Sequence, residues 1–84
     1  MSSVMTVEVR LFAILRRYLP VGSERTCTRM DLPAGVSIAD VLARLSIPAE
    51  QVTLVLVNGR HEANRQRRIE QDCVLSVFPP VAGG

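Results

Sequence analysis

The sequence predicts an α+β domain in which one main helix packs on one face of a mixed sheet of four to five strands. Two patterns predict this class: apolar residues alternate at both ends of the chain, and a single amphipathic segment lies between them. The 84 residues are enough for one domain. With 48% hydrophobic residues, the composition is that of a folded domain rather than a disordered chain.

The composition also argues against several functional classes. No apolar run approaches the roughly 20 residues that span a membrane. The N-terminus lacks the basic and apolar regions of a signal peptide, so we expect a cytoplasmic protein with no membrane partner. The net charge of +2 gives no strong field toward nucleic acid. No spacing of residues indicates a metal site, and we expect no bound cofactor.

Period-two alternation and turn residues locate the strands. In the first strand Val7, Val9 and Leu11 form the inward set, and the turn Asn58-Gly59 after the third strand is typical of a tight hairpin. A polar segment after this turn contains one short strand or an irregular loop. The predicted strands are residues 4–11, 24–32, 53–57 and 73–78, with a helical turn at 13–19 and the polar segment at 60–70.

The main helix has clear start and stop signals. Ser37 can cap its N-terminus, and Asp40 three residues later gives a weaker form of the capping box. The helix should end near Leu45, because Pro48 disfavours a helical conformation in the residue before it. Its apolar face consists of Ile38, Val41, Leu42 and Leu45. The resulting order of elements suits a β-grasp arrangement, in which the first and last strands lie parallel in the centre of the sheet.

A single helix leaves the other face of the sheet uncovered. The inward residues of the last strand are Cys73, Leu75 and Val77. Phe78 then points outward, and Phe12 also points away from the helix. An apolar outer face of this kind usually marks a partner site, although single apolar residues are common on ordinary surfaces. The same register puts Cys27 and Cys73 on opposite faces, which argues against a disulfide between them.

After the last strand the sequence continues as a short tail. Pro79 and Pro80 stop the strand and favour an extended backbone. Gly83 and Gly84 have no side chains, so the tail can enter a narrow channel. We therefore divide the chain into a domain at residues 1–78 and a flexible tail at 79–84. A carboxylate at the end of the tail is a poor electrophile, and it needs activation, for example as an acyl-adenylate, before a sulfur can attack it.

Together these features resemble the MoaD/ThiS family of ubiquitin-like sulfur carriers, and within it the small, MoaD-like subunit of molybdopterin synthase. The resemblance covers essentially the whole chain. The residues that carry it are Leu11-Phe12-Ala13 with Arg16, the helix at 37–45, Val57-Asn58-Gly59, and the ending Phe78-Pro79-Pro80-Val81-Ala82-Gly83-Gly84. The Phe-Pro-Pro sequence favours the molybdopterin branch, because thiamine-type carriers also end in Gly-Gly but usually lack it.

The resemblance implies a ubiquitin-like β-grasp fold with its working group at the carboxylate of Gly84. An E1-like adenylyltransferase of the MoeB/ThiF type would use ATP to adenylate this carboxylate, and a sulfurtransferase would supply sulfur to give a thiocarboxylate. The tail would then enter a large MoaE-like synthase subunit, where the sulfur passes to precursor Z. The residues implied to act are Gly84 and Gly83 in sulfur transfer, and Phe12, Arg16, Phe78, Pro79, Pro80, Val81 and Ala82 in partner binding.

Other functions stay open at this point. A carrier for thiamine, cysteine or tungsten-cofactor synthesis, or a ubiquitin-like protein modifier, would use the same carboxylate. A nucleic-acid-binding module is a more distant alternative, because the arginines at 16–17 and 65–68 are its only support and few aromatic residues could stack on bases. No stand-alone enzyme activity is expected, since the single histidine, His61, lies in a polar turn.

Overall fold

The structure is a computed structural model that describes residues 4–80. Residues 1–3 and 81–84 lie outside the described part. The elements, in chain order, are β1 (Val4–Leu11), a first 3₁₀ helix (Ala13–Tyr18), β2 (Cys27–Pro33), α1 (Ile38–Arg44), a second 3₁₀ helix (Ala49–Gln51), β3 (Leu54–Val57), β4 (Arg60–His61) and β5 (Cys73–Phe78). None of the helices in this part of the chain has the length and apolar character to cross a membrane.

The described strands form one mixed five-stranded sheet in the order β2-β1-β5-β3-β4. β1 and β5 lie parallel in its centre, with Val9 opposite Leu75 and Leu11 opposite Val77. The other neighbouring pairs are antiparallel. The parallel pair at the centre and the single main α-helix confirm the predicted α+β, β-grasp fold.

The core lies between α1 and one face of the sheet. Every second residue of β1 and β5 is buried there, as the alternation predicted. The aliphatic residues with no exposed surface are Val7, Val9, Leu11, Leu15, Ile38, Val41, Val55, Leu75 and Val77. Each such side chain contributes about 1.5–3 kcal/mol by leaving water, so this face carries most of the hydrophobic stabilisation.

The N-terminus of α1 has the predicted capping box. The backbone N–H of Asp40 donates to Ser37 Oγ at 3.0 Å, and the backbone N–H of Ser37 donates to Asp40 Oδ2 at 3.1 Å. The two remaining free N–H groups of the first turn, on Ile38 and Ala39, donate to backbone carbonyls of the polar segment at 3.1 and 2.9 Å. All of these donors are therefore satisfied, which fixes the start of the helix.

The helix ends where predicted, with Leu45 as its C-cap, and its own backbone geometry ends it. Ser46 adopts a left-handed conformation with φ of 61°. The N–H of Ile47 then donates to Leu42 O at 3.1 Å and the N–H of Ser46 to Ala43 O at 3.0 Å. These two bonds form a Schellman motif, which stops the helix independently of Pro48.

The strand boundaries differ from the predictions in three places, one of which is the end of β2 at Pro33 rather than residue 32. β2 begins at Cys27 rather than residue 24, because the N–H of Glu24 donates to Cys27 O at 3.0 Å and closes a bend before the strand. β3 begins at Leu54 rather than residue 53. The Asn58-Gly59 hairpin is confirmed, with φ of 51° and 83° as a type I′ turn requires.

Candidate functional site

The outer face of the sheet, opposite α1, is divided into a charged half and an apolar half. On the charged half, Glu8 of β1 lies between two arginines. Arg10 Nε is 2.6 Å from one of its carboxylate oxygens and Arg29 Nε is 3.7 Å from the other. Both arginine side chains are more than half exposed, whereas Glu8 is 19% exposed, and ion pairs with such exposed partners contribute little to stability. Their role is to make the β1–β2 half of this face polar.

The apolar half is centred on two stacked aromatic rings. The centroids of Phe12 and Phe78 are 4.4 Å apart and their planes differ by 8°. The parallel pairing of β1 and β5 puts Leu11 opposite Val77, so the next residue of each chain segment carries its ring to the same face. Leu54 lies opposite Phe78 on β3 and extends the apolar row. The prediction that both rings point away from the helix is confirmed.

A groove of about 570 Å³ runs beside the stacked rings, and we call it the tail groove. Its lining is almost entirely apolar. It lies where the chain leaves the sheet, since Pro79 and Pro80 form part of its wall. The lining residues are Phe12, Ala13, Ile14, Thr53, Leu54, Phe78, Pro79 and Pro80.

The first 3₁₀ helix brings two cations to the same end of the sheet. Arg16 and Arg17 are exposed and occupy its last turn. Arg16 Nε donates to Ala13 O at 3.3 Å, and the guanidinium carbon of Arg17 lies 5.9 Å from the centre of the Tyr18 ring. The hydroxyl of Tyr18 donates to Gln51 Oε1 at 3.0 Å and fixes this helix against the second 3₁₀ helix.

The structure therefore brings together four of the site residues expected from the sequence. Phe12, Phe78, Pro79 and Pro80 line one groove, and Arg16 lies on the adjoining 3₁₀ helix. Their contribution to partner binding stays a prediction. The other expected site residues, Val81, Ala82, Gly83 and Gly84, lie outside the described residues.

Four residues of the groove were not among the site residues expected from the sequence: Ala13, Ile14, Thr53 and Leu54. Ile14 is 61% exposed although it is flanked by the buried Leu15. The period of a 3₁₀ helix, about three residues per turn, could have separated these two positions. Leu54 was the outward residue of an apolar strand, so period-two alternation also contained this signal.

Neither of the two cysteines lines the tail groove. Cys73 is buried on the helix-facing side, and burial raises the pKa of its thiol above the usual value, so the thiol stays protonated at neutral pH. Cys27 is partly exposed and lies opposite Arg10 on the outer face. Both are free, and their opposite faces confirm the prediction from the strand register.

Comparison with known families decides the class of protein. The family model described as the ThiS family matches residues 9–84, most of the chain. The chain belongs to the ThiS family. This membership puts it in the class of ThiS-type sulfur carriers. No curated protein sequence matches it significantly.

Solved structures are similar to this ThiS-family chain over nearly its full length. The HVO 2177 protein of Haloferax volcanii is 28% identical with a TM-score of 0.72, covering 96% of this chain and 88% of that one. A molybdopterin converting factor subunit 1 from Pyrococcus furiosus is 23% identical with a TM-score of 0.69, covering 92% and 99%. SAMP1 of Haloferax volcanii is 23% identical with a TM-score of 0.70, covering 94% and 99%. The last two similarities show the shared fold.

Proposed function

We propose that this chain is the sulfur carrier of a molybdopterin-synthesising system, and that it works through the carboxylate of Gly84. One observation of the structure supports the proposal most directly. Phe78, which stacks on Phe12, directly precedes Pro79 and Pro80 in the sequence, and all four residues line one groove. The base of the tail therefore lies at an apolar face. An enzyme that binds this face would receive the tail in its own active site.

The chemistry requires two steps on the tail. In the first, a carboxylate oxygen of Gly84 attacks the α-phosphorus of ATP and pyrophosphate leaves, giving an acyl-adenylate. In the second, a persulfide sulfur attacks the acyl carbon and AMP leaves, giving an acyl disulfide that a thiol reduces to the thiocarboxylate. Because Gly83 has no side chain, the tail can enter the narrow channels of both active sites. The chain itself binds no ATP in this mechanism.

The partners follow from these steps. An E1-like adenylyltransferase of the MoeB/ThiF type supplies activation, a sulfurtransferase supplies the persulfide, and a MoaE-like subunit transfers the sulfur to precursor Z. All of them act on a cytoplasmic carrier in this proposal. The Phe-Pro-Pro sequence and the similarity to a molybdopterin converting factor subunit support this branch of the family.

A second candidate function is protein modification. The similarity to SAMP1 of Haloferax volcanii and SAMP1 of Methanosarcina acetivorans favours it. The Methanosarcina protein is described as small archaeal modifier protein 1. The same acyl-adenylate would then be attacked by an amine of a target protein. AMP would leave and an amide bond would form in place of the thiocarboxylate.

Intact-mass measurement distinguishes the candidates. The chain is incubated with ATP, an E1-like adenylyltransferase and a persulfide-loaded sulfurtransferase. A mass gain equal to the exchange of one oxygen for one sulfur, located on the C-terminal peptide, supports the carrier. Addition of a MoaE-like subunit and precursor Z should then yield molybdopterin and regenerate the carboxylate.

Two variants serve as test and control. Deletion of Gly84 should abolish the mass gain, whereas Val21→Ser, at an exposed residue outside the tail groove, should leave the gain intact. Sulfur transfer that persists without Gly84 would refute the proposal. Amide conjugates to other proteins, without molybdopterin formation, would favour the modifier function instead.

A further inference from the structure

We infer that the free edge of β2 pairs with the same edge of a second copy of this chain. The product is a symmetric antiparallel dimer in which one sheet continues across both copies. The inference does not depend on the proposed function, because β2 contributes no residue to the tail groove. Both grooves therefore stay open in the dimer, and it presents two tails.

The two edges of the sheet differ in length. One edge is β4, which has two residues, Arg60–His61, and the other is β2, which has seven, Cys27–Pro33. A very short edge strand offers few backbone groups to another strand, whereas a long one is a template for pairing. A further strand can therefore be added at the β2 edge.

The hydrogen bonds of the chain next to β2 show which of its backbone groups face the free edge. Leu11 N–H donates to Thr26 O at 2.8 Å on the β2 side, and Phe12 N–H donates to Val77 O at 3.2 Å on the β5 side. The direction of these groups alternates along an antiparallel strand. The even-numbered residues of β2 therefore bond to β1, and the odd-numbered residues present their N–H and C=O groups to the edge.

Charge selects one register for the self-pair. Arg29 and Asp31 both lie on the outer face of the sheet, and the Arg29 side chain is 72% exposed although its Nε is 3.7 Å from Glu8. When Met30 lies opposite Met30 of the second copy, each Arg29 lies opposite an Asp31, so two attractive cross-strand pairs form. The neighbouring registers that keep odd-numbered residues opposite each other put Arg29 opposite Arg29 or Asp31 opposite Asp31, and both are repulsive.

The same register satisfies the backbone groups at the ends of the edge. Cys27 N–H donates to Pro33 O of the other copy, and Pro33 has no N–H to donate in return. The acceptor that this leaves without a donor, Cys27 O, already accepts Glu24 N–H at 3.0 Å within its own chain. The edge is therefore complementary to itself in its hydrogen bonds as well as in its charges.

The helix-facing side of the edge adds an apolar contact. Met30 is partly buried and packs against the core. In the dimer the two Met30 residues form a pair without mutual hydrogen bonds, the kind in which opposite side chains lie closest, with Cα atoms about 4.5 Å apart. The flexible thioether side chains can fill the irregular space between the two copies.

Analytical ultracentrifugation as a function of concentration tests the dimer. The unaltered chain should pass from its monomer mass of 9.2 kDa to twice that mass. A dissociation constant on the order of 100 µM is expected, because an interface made by one strand edge is small. Hydrogen exchange should locate the contact: the N–H groups of Cys27, Arg29 and Asp31 should exchange more slowly in the dimer, since pairing at this edge protects them.

Charge reversal tests the register. Arg29→Asp and Asp31→Arg each replace two attractive pairs with two repulsive ones, so either variant alone should dimerise about tenfold more weakly or worse. Mixed in equal amounts, the two variants should form a heterodimer about as strong as the unaltered dimer, because each acidic position of one copy then lies opposite a basic position of the other. Arg60→Asp, on the opposite edge of the sheet, is the matched control and should leave the dissociation constant unchanged.

Three outcomes would overturn the inference, provided that circular dichroism shows each variant to be folded. If the unaltered chain stays monomeric at about 1 mM, tenfold above the expected dissociation constant, the β2 edge does not bind a second copy. If a dimer forms but the three edge N–H groups are not protected in it, the contact lies elsewhere on the chain. If the mixed variants fail to pair, the register that puts Arg29 opposite Asp31 is wrong.

Discussion

The stacked pair Phe12–Phe78 can be tested by a double-mutant cycle. Each ring is replaced by leucine, alone and together, so that the apolar volume is largely kept and the aromatic stacking is lost. The centroid separation of 4.4 Å and the 8° interplanar angle correspond to direct ring contact. Stacked aromatic pairs contribute about 0.5–1.5 kcal/mol beyond the burial of their area, and we expect a coupling free energy in this range.

The size of the chain converts this energy into a melting-temperature change. At about 2.1 cal/mol/K of unfolding entropy per residue, the 84 residues give about 0.18 kcal/mol/K. A coupling free energy of about 1 kcal/mol thus corresponds to a melting-temperature difference of about 6 °C. The two single variants should together lower the melting temperature by about this much more than the double variant does. Differential scanning calorimetry and urea unfolding would both measure it.

A matched control and a refuting outcome follow from the same cycle. The control cycle combines Phe78→Leu with Val21→Ala, at two residues that do not share the groove. The effects of these two substitutions on the free energy of unfolding should add. If the coupling between Phe12 and Phe78 is also below about 0.3 kcal/mol, it is no larger than the deviation expected for independent sites. The two rings would then not be in contact in solution, and the apolar docking face would lose its centre.

Three further predictions concern the ends of the helix. Ser37→Ala should lower the free energy of unfolding by about 1 kcal/mol, because the buried cap hydroxyl accepts the N–H of Asp40. Backbone and then side-chain hydrogen bonds from Ser37 lower the pKa of Asp40 below its usual 3.8, so this carboxylate stabilises the fold above that pH and the contribution is lost as the pH falls through the lowered pKa. Asp40→Asn should therefore be less stable than the unaltered chain at pH 7, with the difference vanishing in acid. Ser46→Gly should raise stability by about 0.5–1 kcal/mol, because glycine adopts the left-handed conformation at the helix end without a Cβ penalty.

Thermal unfolding as a function of pH checks the Asp40→Asn prediction, and urea unfolding at pH 7 checks the predictions for Ser37→Ala and Ser46→Gly. A difference between Asp40→Asn and the unaltered chain that persists at low pH would show that the charge of Asp40 is not the source of stabilisation. A destabilised Ser46→Gly variant would contradict the left-handed Schellman ending of α1 and leave Pro48 as the feature that stops the helix.

The sequence predicted the elements that bury a regular face. β1 and β5 have the predicted bounds, because alternation with one buried face leaves a single register that keeps Val7, Val9 and Leu75 inside. The helix start was equally predictable, since the capping box is local chemistry between Ser37 and Asp40. The alternation of faces along these strands also predicted that both aromatic rings point away from the helix.

Features held by backbone atoms could not be predicted in the same way. The polar segment after β4 satisfies the first N–H groups of α1 through the carbonyls of Arg65 and Arg67, and a carbonyl is present whatever the side chain. The left-handed Ala13 has no glycine or asparagine to signal it. Ile14 was missed for this reason, because its exposure depends on that turn.

The parallel pairing of β1 and β5 links the fold to the proposed function. It is a long-range contact that joins the end of the first strand to the end of the last, and it alone puts Phe12 beside Phe78 at the base of the tail. A variant that weakens the pairing would therefore disturb both folding and docking. A variant at Ile14 would disturb docking alone, since its side chain is exposed, and a variant at Gly84 would disturb chemistry alone. KM, kcat and the free energy of unfolding thus respond to different parts of the chain. A substitution of Ile14 that changed kcat and left KM unaltered would contradict this separation of roles.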